Sequence, residues 1–171
     1  MTNPRILIAC IGNIFLGDDG FGVEVARRLA EHTFPEEVIL KDFGIRGFDL
    51  TYALLEPYEL VILVDACPRG GTPGSVYLIE PDAVEEGAQA RLEAHGMNPM
   101  NVLRAVKSMG GAPNRILIVG CEPFDLGSDE EGKLGLSDPV AAAVPEAVDL
   151  VRTLVSKALD GEPMEVVSQG Q

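Results

Sequence analysis

Four residues in a row, Val61, Ile62, Leu63 and Val64, are apolar with no polar position between them. A strand with one wet face alternates apolar and polar side chains, so an unbroken run marks a strand covered on both faces. Such strands belong to the interior of a parallel sheet with helices on each side. Two further runs, Arg5–Cys10 and Arg115–Cys121, have the same character, and amphipathic stretches lie between the runs. The alternation predicts an α/β fold.

The predicted elements follow in order. Strand 1 is Arg5–Cys10, and a helix runs from about Gly20 to His32 with Phe21, Val25, Ala26 and Leu29 on its apolar face. Strand 2 is Val38–Asp42, a short helix covers Phe48–Leu55, and strand 3 is Leu60–Asp65. Strand 4, Ser75–Glu80, follows a connector, Ala66–Gly74, of nine residues that includes two prolines and three glycines. A parallel crossover takes about a dozen residues or more, so strand 4 is expected to be antiparallel, at an edge. Residues 81–98 carry no legible pattern. A helix over Pro99–Met109 and strand 5, Arg115–Cys121, come next. The last helix begins near Asp138-Pro139, with Asp138 as its expected N-cap. Its stripe Val140, Val144, Ala147, Val151, Leu154, Val155, Ala158 reaches Leu159, and Pro145 inside it predicts a kink or an early break.

A length of 171 residues suits one domain, expected to span 1–159, with a frayed tail over 160–171. No apolar run approaches the ~18 residues that cross a bilayer. The start of the chain leads straight into a strand, so no signal peptide is expected. A net charge of −14 argues against nucleic acid and anionic membrane as partners. Three cysteines without CxxC spacing suit a reducing, cytoplasmic compartment.

Residues 10–22 read Cys-Ile-Gly-Asn-Ile-Phe-Leu-Gly-Asp-Asp-Gly-Phe-Gly and lie where a dinucleotide-binding fold would place its phosphate loop. Asp18 and Asp19 stand there instead. Two adjacent carboxylates repel phosphate and suit a cation or a polar substrate. In open parallel sheets, ligands bind beyond the carboxyl ends of the strands, where the strand order reverses. If strand 1 lies between strands 2 and 3, Asp18, Asp19 and Asp65 converge on one such crevice. Bland readings stand beside this. Either Asp18 or Asp19 could cap the first helix, and Asp65 could bond the turn after it. Nickel or zinc usually takes nitrogen as well as oxygen, and the chain has two histidines. His32 reads as a surface residue favoured by a helix C-terminus. His95, in a loop before a helix, is by pattern more often a surface residue than a ligand. Cys67, among acids, lacks the electropositive setting of a nucleophile, and Cys10 and Cys121 read as core. No Gly-x-Ser-x-Gly elbow, Gly-x-x-x-x-Gly-Lys-Ser/Thr loop or His-Glu-x-x-His helix is present. Metal-assisted hydrolysis is the chemical route that remains.

Three pieces together resemble the hydrogenase maturation proteases: Gly12–Gly22 after strand 1, the apolar strand ending in Asp65-Ala66, and His95 just before a helix. Asp42-Phe43-Gly44-Ile45-Arg46-Gly47, Val119-Gly120-Cys121-Glu122-Pro123 and Gly135-Leu136-Ser137 add to the set, in family order over about residues 5–158. The resemblance implies a cytoplasmic endopeptidase that removes a short C-terminal extension from the large-subunit precursor of a nickel–iron hydrogenase after nickel insertion. It places three metal ligands on Asp19, Asp65 and His95, which would bind nickel carried by the substrate; zinc or cadmium would suit the same donors. Asp18 would cap the helix or orient the site, and Gly44, Arg46 and Gly47 would shape the cleft. After His95, Gly96-Met97-Asn98-Pro99 departs from the family's Gln-Leu-Gly-Leu-like run. The implied fold is a three-layer α/β/α sandwich on a five-stranded mixed sheet, order 2-1-3-5-4, with strand 4 antiparallel. Two rival functions remain open: another metal-dependent peptidase on the same scaffold, and a non-enzymatic nickel-sensing chaperone. A nucleotide-binding module is the weakest reading.

Overall fold

The computed structural model describes residues 5–45, 47–81, 99–111, 113–128 and 130–166. Its elements are β1 (Ile6–Ile11), α1 (Phe21–Leu29), β2 (Val38–Gly44), α2 (Gly47–Leu54), β3 (Leu60–Ala66), β4 (Val76–Ile79), α3 (Pro99–Ser108), β5 (Ile116–Cys121) and α4 (Asp138–Asp160). The sheet order is β2-β1-β3-β5-β4. The first three pairings are parallel and β4 runs antiparallel to β5. The short, proline-bearing connector before β4 therefore does what its length dictates.

The doubly apolar runs sort into two cores by the two-residue period of a strand. Ile6, Ile8 and Cys10 of β1 and Ile62 and Val64 of β3 pack under α1 and α4. Leu7, Ala9 and Ile11 with Val61 and Leu63 pack under α2 and α3. All of β1 and all of β3 are buried, as an interior strand of a three-layer α/β/α sandwich requires. No described helix is long and apolar enough to cross a membrane.

Element ends differ from expectation in informative ways. The first helix is preceded by a tight 3-10 turn, Gly17–Gly20, and ends at Leu29, after which single turns carry the chain to an exposed His32. Neither Asp18 nor Asp19 caps it: Gly20 is the N-cap and no side chain bonds there. The N-cap of α4 is Ser137, not Asp138, and it likewise makes no side-chain cap bond. Its hydroxyl donates to Asp18 instead. Pro145 does not end α4, which continues to Asp160. Pro145 and Ala141 both lie on the exposed side, where water can serve the carbonyl that proline leaves unbonded.

Past α4 the chain returns to the body. Glu162 N donates to Lys157 O at 2.8 Å, and Arg115 Nη2 donates to Met164 O at 2.6 Å. Met164 and Val166 pack against the α1/α4 core. Residues 160–166 are therefore held against the sheet, while 167–171 lie outside the described residues.

Candidate active site at the carboxyl ends of β1 and β3

The strand order reverses at β1, which lies between β2 and β3, so the binding crevice of this sheet opens beyond the ends of β1 and β3. The chain leaving β1 folds tightly across both ends. Gly22 shows how tightly: a Cβ there would lie 2.1 Å from Ile11 O and 2.7 Å from Val64 O. Only glycine lets α1 start against the two strand ends. A Cβ on Gly12 would sit 2.3 Å from Asp19 O, so the turn bearing Asp19 is pressed onto the exit of β1. Gly12 and Gly22 therefore serve close backbone packing.

Asp19 is half-buried at the mouth of this turn. Asn13 N donates to its Oδ2 at 3.1 Å and to its carbonyl at the same distance. Asp65 is the penultimate residue of β3 and is only 6 % exposed. Ala66 N donates to its Oδ1 at 2.8 Å. Burial pushes the Asp65 carboxyl well above the usual carboxylate range, and the charge of Asp19 pushes it further the same way, while the Ala66 amide opposes. The two carboxylates thus come from two neighbouring strand ends, close enough for the charge of Asp19 to disfavour ionisation of Asp65. A cation between them would relieve both the burial and the repulsion, and carboxylate oxygens are fitting donors for a divalent metal.

Asp18 does something else. It is fully buried, and four donors converge on its carboxylate. Phe124 N and Asp125 N each donate to Oδ2 at 2.8 Å, Ser137 Oγ donates to Oδ2 at 2.8 Å, and Ser137 N donates to Oδ1 at 2.7 Å. Asp18 N in turn donates to Asp125 O, Gly17 N to Lys133 O, and Lys133 N to Phe15 O, at 2.8, 2.8 and 2.7 Å. The turn that carries Asp19 is clasped to the 124–137 loop through this one carboxylate.

A third buried acid, Glu122, holds the loop after β3. Its carboxylate accepts from Arg69 N, Gly71 N and Tyr77 OH at 2.9, 2.6 and 2.9 Å. Cys67 begins that loop, its amide donating to Cys121 O and its side chain packed over Gly120. Burial, then Asp65, pushes the Cys67 thiol up to about 12, so it stays protonated and is no nucleophile. Cys10 and Cys121 are buried on β1 and β5, and none of the three cysteines is in a disulfide.

Of the expected ligand set, Asp19 lies on the turn after β1 and Asp65 near the end of β3, within electrostatic reach of one another. His95 lies outside the described residues, as do Arg46 and Met97. Among the described residues no group of three metal-ligating side chains gathers. Gly44 adjoins the exit of β1: Gly12 N donates to its carbonyl at 3.0 Å. The roles of Asp18, Ser137 and Glu122 as loop anchors are the residues' unexpected contribution. All three sit in stretches that carry the family resemblance, but their partners are too distant in sequence to be read from it.

A family model described as hydrogenase maturation protease matches residues 23–154. The hydrogenase expression/formation protein HupD of Rhodobacter capsulatus is 34% identical over 152 residues, covering 86% of this chain and 71% of that protein. The hydrogenase maturating endopeptidase HybD from Escherichia coli superposes with a TM-score of 0.73 at 25% identity, covering 90% of this chain and 93% of HybD. A hydrogenase 2 maturation peptidase from a thaumarchaeon superposes with a TM-score of 0.62 at 35% identity, covering 88% and 97%.

Proposed function

This chain belongs to the hydrogenase maturation protease family and is a peptidase, and from that premise we propose that it removes the C-terminal extension of a nickel–iron hydrogenase large-subunit precursor once nickel is in place. The observation that supports this reading is the Asp19–Asp65 pair. It is an oxygen-donor pair at the switch point of the sheet, in which burial and the charge of Asp19 raise the proton affinity of Asp65. His95 is the third ligand in this proposal, supplying the nitrogen donor that nickel favours. The nickel is part of the substrate, and bound at this site it would polarise the peptide bond next to it. Zinc or cadmium would suit the same donors.

The chain's own residues do the positioning. Asn13 N fixes one oxygen of Asp19, Ala66 N fixes one oxygen of Asp65, and Asp18 pins the turn between them. The free thiols of Cys10, Cys67 and Cys121 fit action in the cytoplasm.

The test is processing of a nickel-loaded precursor, followed as a length change on a gel, by wild type and by Asp19→Asn, Asp65→Asn and His95→Gln. Each substitution is expected to lower the rate by about a hundredfold or more. Unchanged cleavage in all three would overturn the ligand assignment. A wild-type protein that binds the precursor and leaves its length unchanged would overturn the peptidase step on this substrate. A stoichiometric, tightly held metal in the purified protein would overturn the view that the metal arrives with the substrate.

A further inference from the structure

The loops tied together by Asp18 put large apolar side chains into solvent beside the crevice. Phe15 is 63 % exposed, Phe124 68 % and Leu134 72 %. Scattered apolar surface residues need no explanation, but a rigid group of them beside a site does. Hydrogen bonds tie the backbone at Phe15 and Phe124 and next to Leu134. Phe15 O accepts from Lys133 N, the residue next to Leu134, and Phe124 N donates to the buried Asp18 carboxylate. Leu16 and Lys133 also form a β-bridge. Phe15 is four residues before Asp19, on the loop that leads into the same turn.

The geometry points to a docking rim, formed by Phe15, Phe124 and Leu134, for an apolar segment of the hydrogenase precursor flanked by basic side chains. This inference rests on the proposed substrate and names how that substrate is held. The charge of the occupant follows from the loop. Residues 123–138 contain Asp125, Asp129, Glu130, Glu131 and Asp138 against the single base Lys133, and Lys133 is already paired with Asp125. A partner with lysine or arginine beside its apolar residues meets complementary charge there, and a second copy of this chain, at net −14, meets repulsion. Because the rim is fixed by hydrogen bonds in the free protein, docking costs little ordering.

The experiment compares wild type with Phe15→Ser/Phe124→Ser/Leu134→Ser, and with each single substitution, in binding and processing of nickel-loaded precursor. All three side chains lie outside the core, so the thermal midpoint and circular dichroism should match wild type. The triple variant is expected to weaken Kd and raise KM by about tenfold or more, with kcat within about twofold, and raised salt should weaken wild-type binding. Wild-type cleavage with unchanged Kd and KM in the variant would overturn the rim and leave the proposed function standing. A fall in kcat alone would also overturn it, since the residues would then act on the chemistry. Concentration-dependent self-association of wild type that the variant loses would assign the rim to a second copy. Failure of wild type to bind the precursor at all would overturn both readings together.

Discussion

A buried carboxylate is costly unless donors surround it, and Asp18 is surrounded by four. Its partners come from positions 106 to 119 residues downstream, so one side chain closes a very long loop next to Asp19. The two adjacent aspartates therefore differ: Asp18 is fully buried against the 124–137 loop, and Asp19 is half-buried with its carboxylate on Asn13 N. Asp18→Ala would leave Phe124 N, Asp125 N, Ser137 N and the Ser137 hydroxyl without their acceptor. At about 1–3 kcal/mol for each unsatisfied buried group, summed well short of additivity, a loss of about 3 kcal/mol or more is expected. Asp18→Asn keeps one oxygen but turns an NH2 group toward a backbone donor, and should cost less than alanine yet still be plainly destabilising. Urea denaturation of the two variants measures both. An Asn variant as stable as wild type would mean that the carboxylate charge contributes nothing to the clasp.

At the scale of elements, what the sequence reveals depends on how locally each feature is determined. β1, β3 and β5 were legible because burial on both faces leaves an unbroken apolar signature, and the antiparallel direction of β4 was legible from connector length alone. That the charge of Asp19 reaches Asp65 follows from that topology. Features set by distant partners were not legible. The N-cap at Ser137 and the failure of Asp18 to cap α1 both follow from one long-range clasp. Pro145 does not break α4, because its cost depends on which side of the helix it occupies. Exposed between the buried Val144 and the exposed Glu146, it gives up one helical hydrogen bond without disturbing the packed stripe. Pro145→Ala restores a backbone donor for Ala141 O and removes the ring's clash with that turn. It should stabilise the protein by about 1–2 kcal/mol, below the ~3 kcal/mol typical of a helix interior because water already reaches that carbonyl. Chemical denaturation gives the value, and a destabilised alanine variant would mean that α4 needs a bend there to follow the sheet.

Across the whole molecule, stability against pH reflects groups that pull in opposite directions. Hydrogen bonds from Arg27, Arg115 and Lys133 hold Glu24, Glu80 and Asp125 below the usual carboxylate range. Their contribution is present above an unfolded pKa of about 4 and is lost as pH falls through their lowered folded values. These are largely solvent-exposed pairs, so each is worth little. Asp65 works the other way. Burial first, and Asp19 second, raise its folded pKa, so the folded protein holds that proton more tightly than the unfolded chain. The stability this gives is full below about pH 4 and is lost as pH climbs through the raised folded value. A net charge of −14 acts in the same sense, because protons taken up on acidification relieve self-repulsion. The metal-free protein should therefore gain thermal stability as pH is lowered from 8 toward about 5.5, and lose it below about 4. Asp65→Asn isolates the buried term: it removes the charge while keeping an oxygen for Ala66 N. One pKa unit is worth about 1.4 kcal/mol, and each kcal/mol moves the midpoint of a chain this size by about 2–4 °C. The variant should thus melt above wild type at pH 8, and its gain on acidification should shrink. Scanning calorimetry in chelator from pH 4 to 8 decides it. Equal midpoints at pH 8 would mean that the buried Asp65 charge is not felt. Higher stability in a variant that no longer processes the precursor would show that the pair is kept for its chemistry, against the stability of the fold that holds it.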